Sequence, residues 1–376
     1  MRKTVRVAVL ISITIVAGVI SYTFLNWDYY PTPGWTQSIQ ILDKGNKPEL
    51  TYYDNQFWVS YYLQGERGRK ISIIHSLDGI TWSSPIVLVE EFPHICPFPQ
   101  NLKLLKRPDG NLWFFWVGDL WDNSCELERL YYTILKDDHT WSESQEVYAI
   151  SEVYYFNELI STPEGGLTVL EDHDTECVVQ FFDETLKKNP SVTIDLPYDF
   201  SISDIYCDQN STYWLVLSSK ENRAHVMTSD DGISWSEPRK IPINYFIWGH
   251  LLQLKNGQYL LIYKNGSSSM AMSFSPDGVS WSSPTWVARF KGEGKWLRNF
   301  IMYFDIVELD DGTLWVIIGN AEGLSITTFS EEQFEKDISV IQDFTLKTKI
   351  ISICITLIAG VSCFIFYKKY WYLEEY

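Results

Sequence analysis

Short polar turns followed by strand-like segments recur six times along the chain. Each turn consists of Asp, Asn, Glu or Gly residues, and the segment after it alternates in polarity or is continuously apolar, as in a β-hairpin. The spacing of the turns, roughly 45 to 55 residues, is that of a four-stranded propeller blade. The central turn residues are Asn55, Gly110, Gly165, Asn210, Gly257 and Gly312. The pattern therefore predicts an all-β propeller with six blades.

A second motif, S-x-D-G-[IV]-[ST]-W-S-x-P, begins at Ser76, Ser229 and Ser275, and a degenerate copy reads DDHTWSES. An Asp here can accept backbone N–H groups of its own turn, while the Gly takes a positive φ. The Trp is expected to cover the hairpin between strands 3 and 4 and to be largely buried. The motif is interpreted as structural, and its residues are Asp78, Trp82, Asp137, Trp141, Asp231, Trp235, Asp277 and Trp281.

The two motifs together divide the propeller, residues 44–342, into six blades. The predicted blades are 44–90, 91–150, 151–195, 196–242, 243–289 and 290–342. Two segments compete for the strand that closes the last blade. One is Pro33 to Leu42, within a stretch (26–43) that is otherwise a linker, and the other is the DISVI segment that starts at Asp337.

Two apolar runs flank the predicted propeller, and each is long enough to span a bilayer as a helix. Val7 to Leu25 completes an N-terminal segment (1–25), although a cleaved signal peptide is an alternative for this run. Ile350 to Tyr367 follows a linker (343–349) and precedes a short tail (368–376). Basic residues at both extreme ends predict that both termini are cytoplasmic: Arg2, Lys3, Arg6, Lys368 and Lys369. The sequence thus predicts a two-span cell-membrane protein with an exterior propeller.

Composition narrows the classes of partner. The formal net charge of −18 argues against nucleic acid, because phosphate binding needs a basic surface. The 16 Trp and 23 Tyr residues suit a β-rich fold and a surface that stacks on sugar rings. The expected partners are therefore the membrane and glycans or glycoproteins.

The repeated S-x-D-G-x-x-W turns resemble the Asp boxes (BNR repeats) of the sialidase, or neuraminidase, superfamily, whose members are six-bladed propellers. The resemblance covers residues 44 to 342 and implies a pocket at the central funnel, opposite the Asp-box side. One position at the start of strand 1 in each blade is expected to face this funnel: Asn46, Asn101, Phe156, Ser201, Trp248 and Tyr303. These side chains could bind a sugar or could simply fill the propeller axis.

The resemblance also makes Tyr303 a candidate nucleophile, since the segment from Tyr303 to Gly312 matches the family's catalytic tyrosine frame without a gap. The family's other catalytic groups match less well. Trp248 stands where a Glu is expected to activate the tyrosine, and Asn46 stands at an arginine position of the carboxylate clamp. Lys264 and Arg298 are possible substitutes for the other two arginines.

Two further features of the sequence could carry chemistry. The cluster Glu171-Asp172-His173-Asp174-Thr175-Glu176 could bind Ca²⁺ or supply an acid, or could be a solvated loop; no other cofactor is expected. Cys96 and Cys125 could form a disulfide or remain two thiols. The six His residues show no metal-ligand spacing, so no metal site is predicted.

Two functions follow from the sequence. The first is a membrane-anchored, exterior, sialidase-like propeller that recognises glycans without standard sialidase activity, because the carboxylate clamp and the Glu partner are not matched. The alternative is an exo-glycosidase, of the sialidase type of glycoside hydrolase, that uses Tyr303 or a carboxylate pair on a terminal sugar.

Overall fold

The protein folds into six four-stranded antiparallel sheets, arranged as the blades of a propeller. A computed structural model describes residues 34–36, 38–64, 69–92, 102–107, 109–118, 129–149, 155–173, 176–197, 199–265, 269–289, 303–320, 323–330, 332–334 and 336–337. In chain order the strands are β1 Ile39–Leu42, β2 Asn46–Tyr53, β3 Gln56–Gln64, β4 Arg69–Ser76, β5 Ile86–Phe92, β6 Leu102–Lys106, β7 Leu112–Gly118, β8 Arg129–Ile134, β9 Gln145–Ala149, β10 Tyr155–Ser161, β11 Leu167–His173, β12 Glu176–Phe182, β13 Val192–Asp195, β14 Phe200–Cys207, β15 Tyr213–Ser219, β16 Arg223–Ser229, β17 Arg239–Asn244, β18 Phe246–Gln253, β19 Tyr259–Asn265, β20 Ser269–Ser275, β21 Thr285–Arg289, β22 Tyr303–Glu308, β23 Leu314–Asn320 and β24 Gly323–Phe329. The prediction of a six-bladed all-β propeller is confirmed.

Five blades are consecutive meanders: β2–β5, β6–β9, β10–β13, β14–β17 and β18–β21. The sixth blade combines β22, β23 and β24 with β1 in the outermost position. Ile39 pairs with Ile326 and Leu42 pairs with Leu324 in this antiparallel ladder. The segment that ends at Leu42, rather than the DISVI segment, thus supplies the closing strand; residues 338–341 of that alternative lie outside the described residues.

The core lies between neighbouring blades, because each sheet packs on a sheet at either side. The second strands are buried on both faces, which explains why β7 reads LWFFWVG and β19 reads YLLIYKN with little alternation. Trp58 and Trp116 are each fully buried in one cluster that joins the first two blades. Aromatic residues therefore supply much of the packing between blades.

The repeated Ser-x-Asp-Gly turns have the local geometry that the sequence predicts. In the first turn, Asp78 Oδ1 accepts the backbone N–H groups of Ile80 and Thr81 at 2.8 and 2.7 Å. Gly79 has a φ of +70°, and the Trp82 indole donates to its carbonyl at 3.1 Å. The turns at Asp231 and Asp277 repeat these bonds.

Each of these turns also contacts the preceding blade. A Cβ added to Gly278 would lie 2.2 Å from the Trp214 ring, and one added to Gly79 would lie 2.2 Å from Trp315. At Gly232 the neighbouring ring is Phe181. The glycine therefore serves two purposes, since it accepts a left-handed backbone and leaves room for an aromatic ring.

The structure corrects two details of the turns. In the degenerate copy the acceptor is Asp138, which binds the Thr140 N–H at 3.0 Å, and not Asp137. His139, at a φ of +60°, takes the left-handed position that glycine holds elsewhere. The four turn tryptophans are half-buried rather than largely buried, because the ring covers the hairpin while one side remains exposed: Trp82, Trp141, Trp235 and Trp281.

The segments on either side of the propeller are mostly outside the described residues, and both predicted membrane spans fall there. Within the described part of the chain, no helix is long and apolar enough to cross a membrane. The few described flanking residues form a small unit of their own. In it Trp35 packs on Phe329, and the Gly34 N–H donates to Asp337 Oδ2 at 2.8 Å.

Candidate functional site

One ionisable side chain from the first strand of each blade lies near the centre of the propeller. We call this set the central ring. It consists of Glu49 on β2, Lys103 on β6, Glu158 on β10, Asp204 on β14, His250 on β18 and Asp305 on β22. Four carboxylates thus face two basic groups, so the ring carries an excess of acid.

Ion pairs join neighbouring members of the ring. The Lys103 Nζ lies 3.1 Å from Glu158 Oε1 and 3.5 Å from Glu49 Oε2. His250 Nδ1 lies 3.5 Å from Asp204 Oδ1. The side chains are largely shielded from water, with Glu158 and Asp204 7% and 4% exposed. Buried charges of this kind persist only when they are paired or hydrogen-bonded.

Two ring carboxylates also bind backbone amides of a neighbouring blade. Asp305 Oδ2 accepts the Leu50 N–H at 2.6 Å, and Asp204 Oδ2 accepts the Leu251 N–H at 2.8 Å. Ser203 makes a similar link, since its Oγ accepts the Gly249 N–H at 2.7 Å. The first strand is an edge of its sheet, so these bonds satisfy backbone groups that would otherwise lack a strand partner.

A pocket of about 240 Å³ lies against the ring. Its charged lining consists of Lys47, Glu49, Glu158 and His250. Its remaining lining is Pro48, Leu102, Ile202, Ser203, Trp248, Tyr303 and Phe304. Acceptor oxygens and aromatic rings therefore share one small cavity.

The aromatic part of the pocket is held in place by stacking. The Trp248 ring lies on Phe304 with 4.5 Å between centroids and an interplanar angle of 11°. The Tyr303 ring is 6.3 Å from Trp248, and both are half-buried. Phe304 is fully buried, so it fixes the orientation of the Trp248 face.

Lys47 is a pocket residue that the sequence interpretation did not identify. Its backbone has a φ of 47°, although a following proline normally holds a residue in an extended conformation. Its Nζ lies 5.0 Å from the centroid of Tyr303, a cation–π contact. Non-glycine residues in such conformations concentrate at functional sites. The Lys47-Pro48 pair is the only mark of this conformation in the sequence.

The electrostatics of the ring favour protonated forms. Burial raises the pKa of the Glu49 carboxyl well above its usual range, against the opposing charge of Lys103. Burial likewise raises the pKa of Asp204, although His250 opposes it. For His250 and Lys103 burial acts to lower the pKa, but the neighbouring carboxylates outweigh it and both pKa values are raised.

The structure brings together two of the six residues predicted to face the funnel, Trp248 and Tyr303. Asn46 begins β2, and its Oδ1 accepts the Lys47 N–H, while Ser201 is exposed and bonds to the Ser218 carbonyl. Phe156 lies on β10, but its side chain is outside the described residues, as are Asn101 and Arg298. The ring lies two or three residues further along each strand than the predicted positions.

The other candidates that the structure describes are not among the residues that line this pocket. Lys264 is buried on β19, and burial lowers its pKa, but it is not part of the pocket lining. Glu171 is a buried strand residue whose carboxylate accepts the Tyr148 hydroxyl, and burial raises the pKa of Glu171. The proposed disulfide partners Cys96 and Cys125 lie outside the described residues.

Neither a protein-family model nor the sequence of a curated protein matches the chain. Solved structures match its fold. A protein of unknown function from Dyadobacter fermentans has a TM-score of 0.62 at 14% identity, over 79% of this chain and 100% of that one. An intramolecular trans-sialidase from Ruminococcus gnavus has a TM-score of 0.57 at 12% identity, over 78% of this chain and 96% of that one. An α-L-arabinanase from Penicillium chrysogenum has a TM-score of 0.59 at 13% identity, over 80% of this chain and 97% of that one. The chain therefore has a sialidase-like propeller.

Proposed function

We propose that this protein recognises the terminal sugar of a glycan in its central pocket. One observation carries the proposal: the aromatic rings of Trp248 and Tyr303 and the carboxylates of Glu49 and Glu158 line the same cavity. Aromatic rings pack on the apolar face of a pyranose, and carboxylate oxygens accept its hydroxyl protons. The volume, about 240 Å³, suits a single sugar ring better than an oligosaccharide.

Proteins of the same fold support a sugar as the ligand. The arabinanase was solved with arabinobiose, and the trans-sialidase was solved with oseltamivir carboxylate. For this chain we propose an uncharged or amino sugar, since no arginine is among the described residues that line the pocket. Membrane anchoring through residues 7–25 and 350–367 remains part of the proposal and rests on their apolar composition.

Binding is tested by ligand-observed NMR with a panel of monosaccharides, followed by titration of the intrinsic Trp fluorescence. Trp248→Ala and Tyr303→Ala should each weaken binding about tenfold, because a stacked aromatic surface contributes on the order of 1.4 kcal/mol. Tyr303→Phe should bind like the wild type, since it keeps the ring. The control is Tyr245→Ala, which removes an exposed aromatic residue outside the pocket. Equal binding by wild type and Trp248→Ala would contradict the proposal.

Aryl sialosides should not be turned over at a measurable rate. Each charge-assisted hydrogen bond to a sialic acid carboxylate contributes about 1.5–3 kcal/mol, so the loss of the guanidinium groups at the positions of Asn46 and Lys264 costs about 3–6 kcal/mol. This corresponds to a loss of affinity of about a hundred- to ten-thousand-fold. Efficient cleavage that Tyr303→Phe abolishes would instead establish the family's tyrosine mechanism.

An exo-glycosidase is the second candidate function, and one observation favours it. Glu49 faces the pocket, and burial raises the pKa of its carboxyl well above the usual range, as a general acid at neutral pH requires. In that case Tyr303 would be the nucleophile. Turnover of a neutral aryl glycoside that Glu49→Gln abolishes, with binding retained, would favour hydrolysis over recognition alone.

A further inference from the structure

We propose that Glu158, Asp204 and His250 form a binding site for a divalent transition-metal ion of the Zn²⁺ type at the wall of the central pocket. One donor atom from each residue lies within 4.8 Å of the other two. The three residues come from the first strands of three consecutive blades, β10, β14 and β18. The proposal does not depend on sugar recognition, because the three side chains would bind the ion whether or not a sugar occupies the pocket.

Backbone amides hold one oxygen of each carboxylate, so the other oxygen is free of backbone bonds. Glu158 Oε1 accepts the Leu159 N–H and pairs with Lys103, both at 3.1 Å, so Oε2 remains for an ion. Asp204 Oδ2 accepts the Leu251 N–H, and Oδ1 faces His250 Nδ1, the other proposed donor. Backbone bonds of this kind orient metal ligands and keep them in one conformation.

The separation of two of the donors fits a small tetrahedral ion. His250 Nδ1 and Asp204 Oδ1 are 3.5 Å apart. Two donors of a tetrahedral Zn²⁺ with bonds of about 2.0–2.1 Å are separated by about 3.4 Å. A donor set of one imidazole nitrogen and two carboxylate oxygens suits Zn²⁺ and its neighbours better than Ca²⁺ or Mg²⁺, which take oxygen ligands.

Charge supports an ion at this place. The central ring contains four carboxylates against one lysine and one histidine, so a divalent cation would offset its excess of acid. Glu158 and His250 both line the pocket, so the ion would have its fourth coordination position on that side. Three protein ligands with one open position are the arrangement of catalytic rather than structural zinc sites.

The test uses the full chain, freed of metal by a chelator, and adds Zn²⁺ or Co²⁺ alone. Isothermal titration with Zn²⁺ should show one saturable site per chain. Co²⁺ should give the intense visible absorption of tetrahedral coordination, which weak binding to a generally acidic surface would not produce. His250→Gln and Asp204→Asn should each weaken Zn²⁺ binding at least tenfold and abolish the Co²⁺ band.

Asp305→Asn is the matched control, since it removes a carboxylate from the central ring without removing a proposed ligand. It should keep the Co²⁺ band, and circular dichroism should show that all variants remain folded. The proposal is overturned if the wild type binds no ion stoichiometrically. That result is expected if protons alone neutralise the excess carboxylates of the central ring. It is equally overturned if the Co²⁺ band survives both ligand substitutions.

Discussion

The central ring and the Ser-x-Asp-Gly turns both use aspartate to bind backbone N–H groups, yet their carboxyls titrate in opposite directions. Asp78, Asp231 and Asp277 lie on the surface, and backbone hydrogen bonds lower the pKa of each to about 2. Asp204 also accepts a backbone N–H, but burial raises its pKa. Hydrogen bonds to the charged form dominate where water remains, and desolvation dominates where it is excluded.

The difference also separates two kinds of stabilisation. A turn aspartate bonds to residues two and three positions ahead, so it stabilises one hairpin. A ring carboxylate joins strands of different blades, as Asp305 does when it binds Leu50. Loss of a ring member should therefore affect the whole propeller, while loss of a turn should affect one hairpin.

Removal of the ring lysine should have the largest effect. Lys103→Met leaves Glu49 and Glu158 buried without their shared cation, which should lower the free energy of unfolding by about 3–5 kcal/mol. The control is Lys255→Met, which breaks an exposed ion pair with Asp310 and should cost less than about 1 kcal/mol. Urea unfolding followed by fluorescence measures both, and equal effects would remove the distinction between the ring and the surface.

A glycine substitution should show how much of a turn's stability comes from the contact between blades. Gly278→Ala places a methyl group against Trp214 and should cost about 3 kcal/mol or more. Gly312→Ala has a similar φ, +80°, but no atom near the new methyl group, so it should cost about 1 kcal/mol. Unfolding free energies that agree for the two variants would show that the backbone alone matters.

The smallest expected effects are pH dependences of opposite sign. The pKa of Asp277 is lowered in the folded state. Its contribution to the free energy of unfolding is therefore present above about pH 3.9 and declines as the pH falls through about 2. The pKa of Glu49 is raised in the folded state. Its contribution to the free energy of unfolding is therefore present below about pH 4.3 and declines as the pH rises toward the folded-state pKa.

Unfolding of the wild type, Asp277→Asn and Glu49→Gln should be compared across the acid and neutral range. The free energy of unfolding of the wild type should exceed that of Asp277→Asn by an amount that grows with pH in the acid range. The difference in free energy of unfolding between the wild type and Glu49→Gln should instead change in favour of Glu49→Gln as the pH rises from acid to neutral. Parallel curves for either pair would show that the corresponding carboxyl keeps its unfolded pKa.

The same contrast explains what the sequence could predict. The turns were predicted because their partners lie within a few residues, as with Asp78 and Thr81. The ring was not predicted, because Leu50 and Asp305 are 255 residues apart and meet only when the propeller closes. Counting back from the turns located the right strands but not the right positions.

Irregular pairing of the first strands makes such a count less certain still. The first strands of four blades, β2, β10, β14 and β18, shift register against their neighbours, while β6 and β22 pair without a shift. A bulge can change which residue faces the centre, and it leaves no clear mark in a single sequence. Lys47 enters the pocket at one of these irregular segments.

The closing strand of the sixth blade has a mechanical consequence. β1 begins at Ile39, opposite Ile326 near the end of β24, so the chain enters and leaves this antiparallel pair at the same end. Tension between the two chain termini would therefore load the hydrogen bonds one pair at a time, as in unzipping, instead of shearing them together. Force spectroscopy should show β1 separating in an early, low-force step before the remaining blades yield.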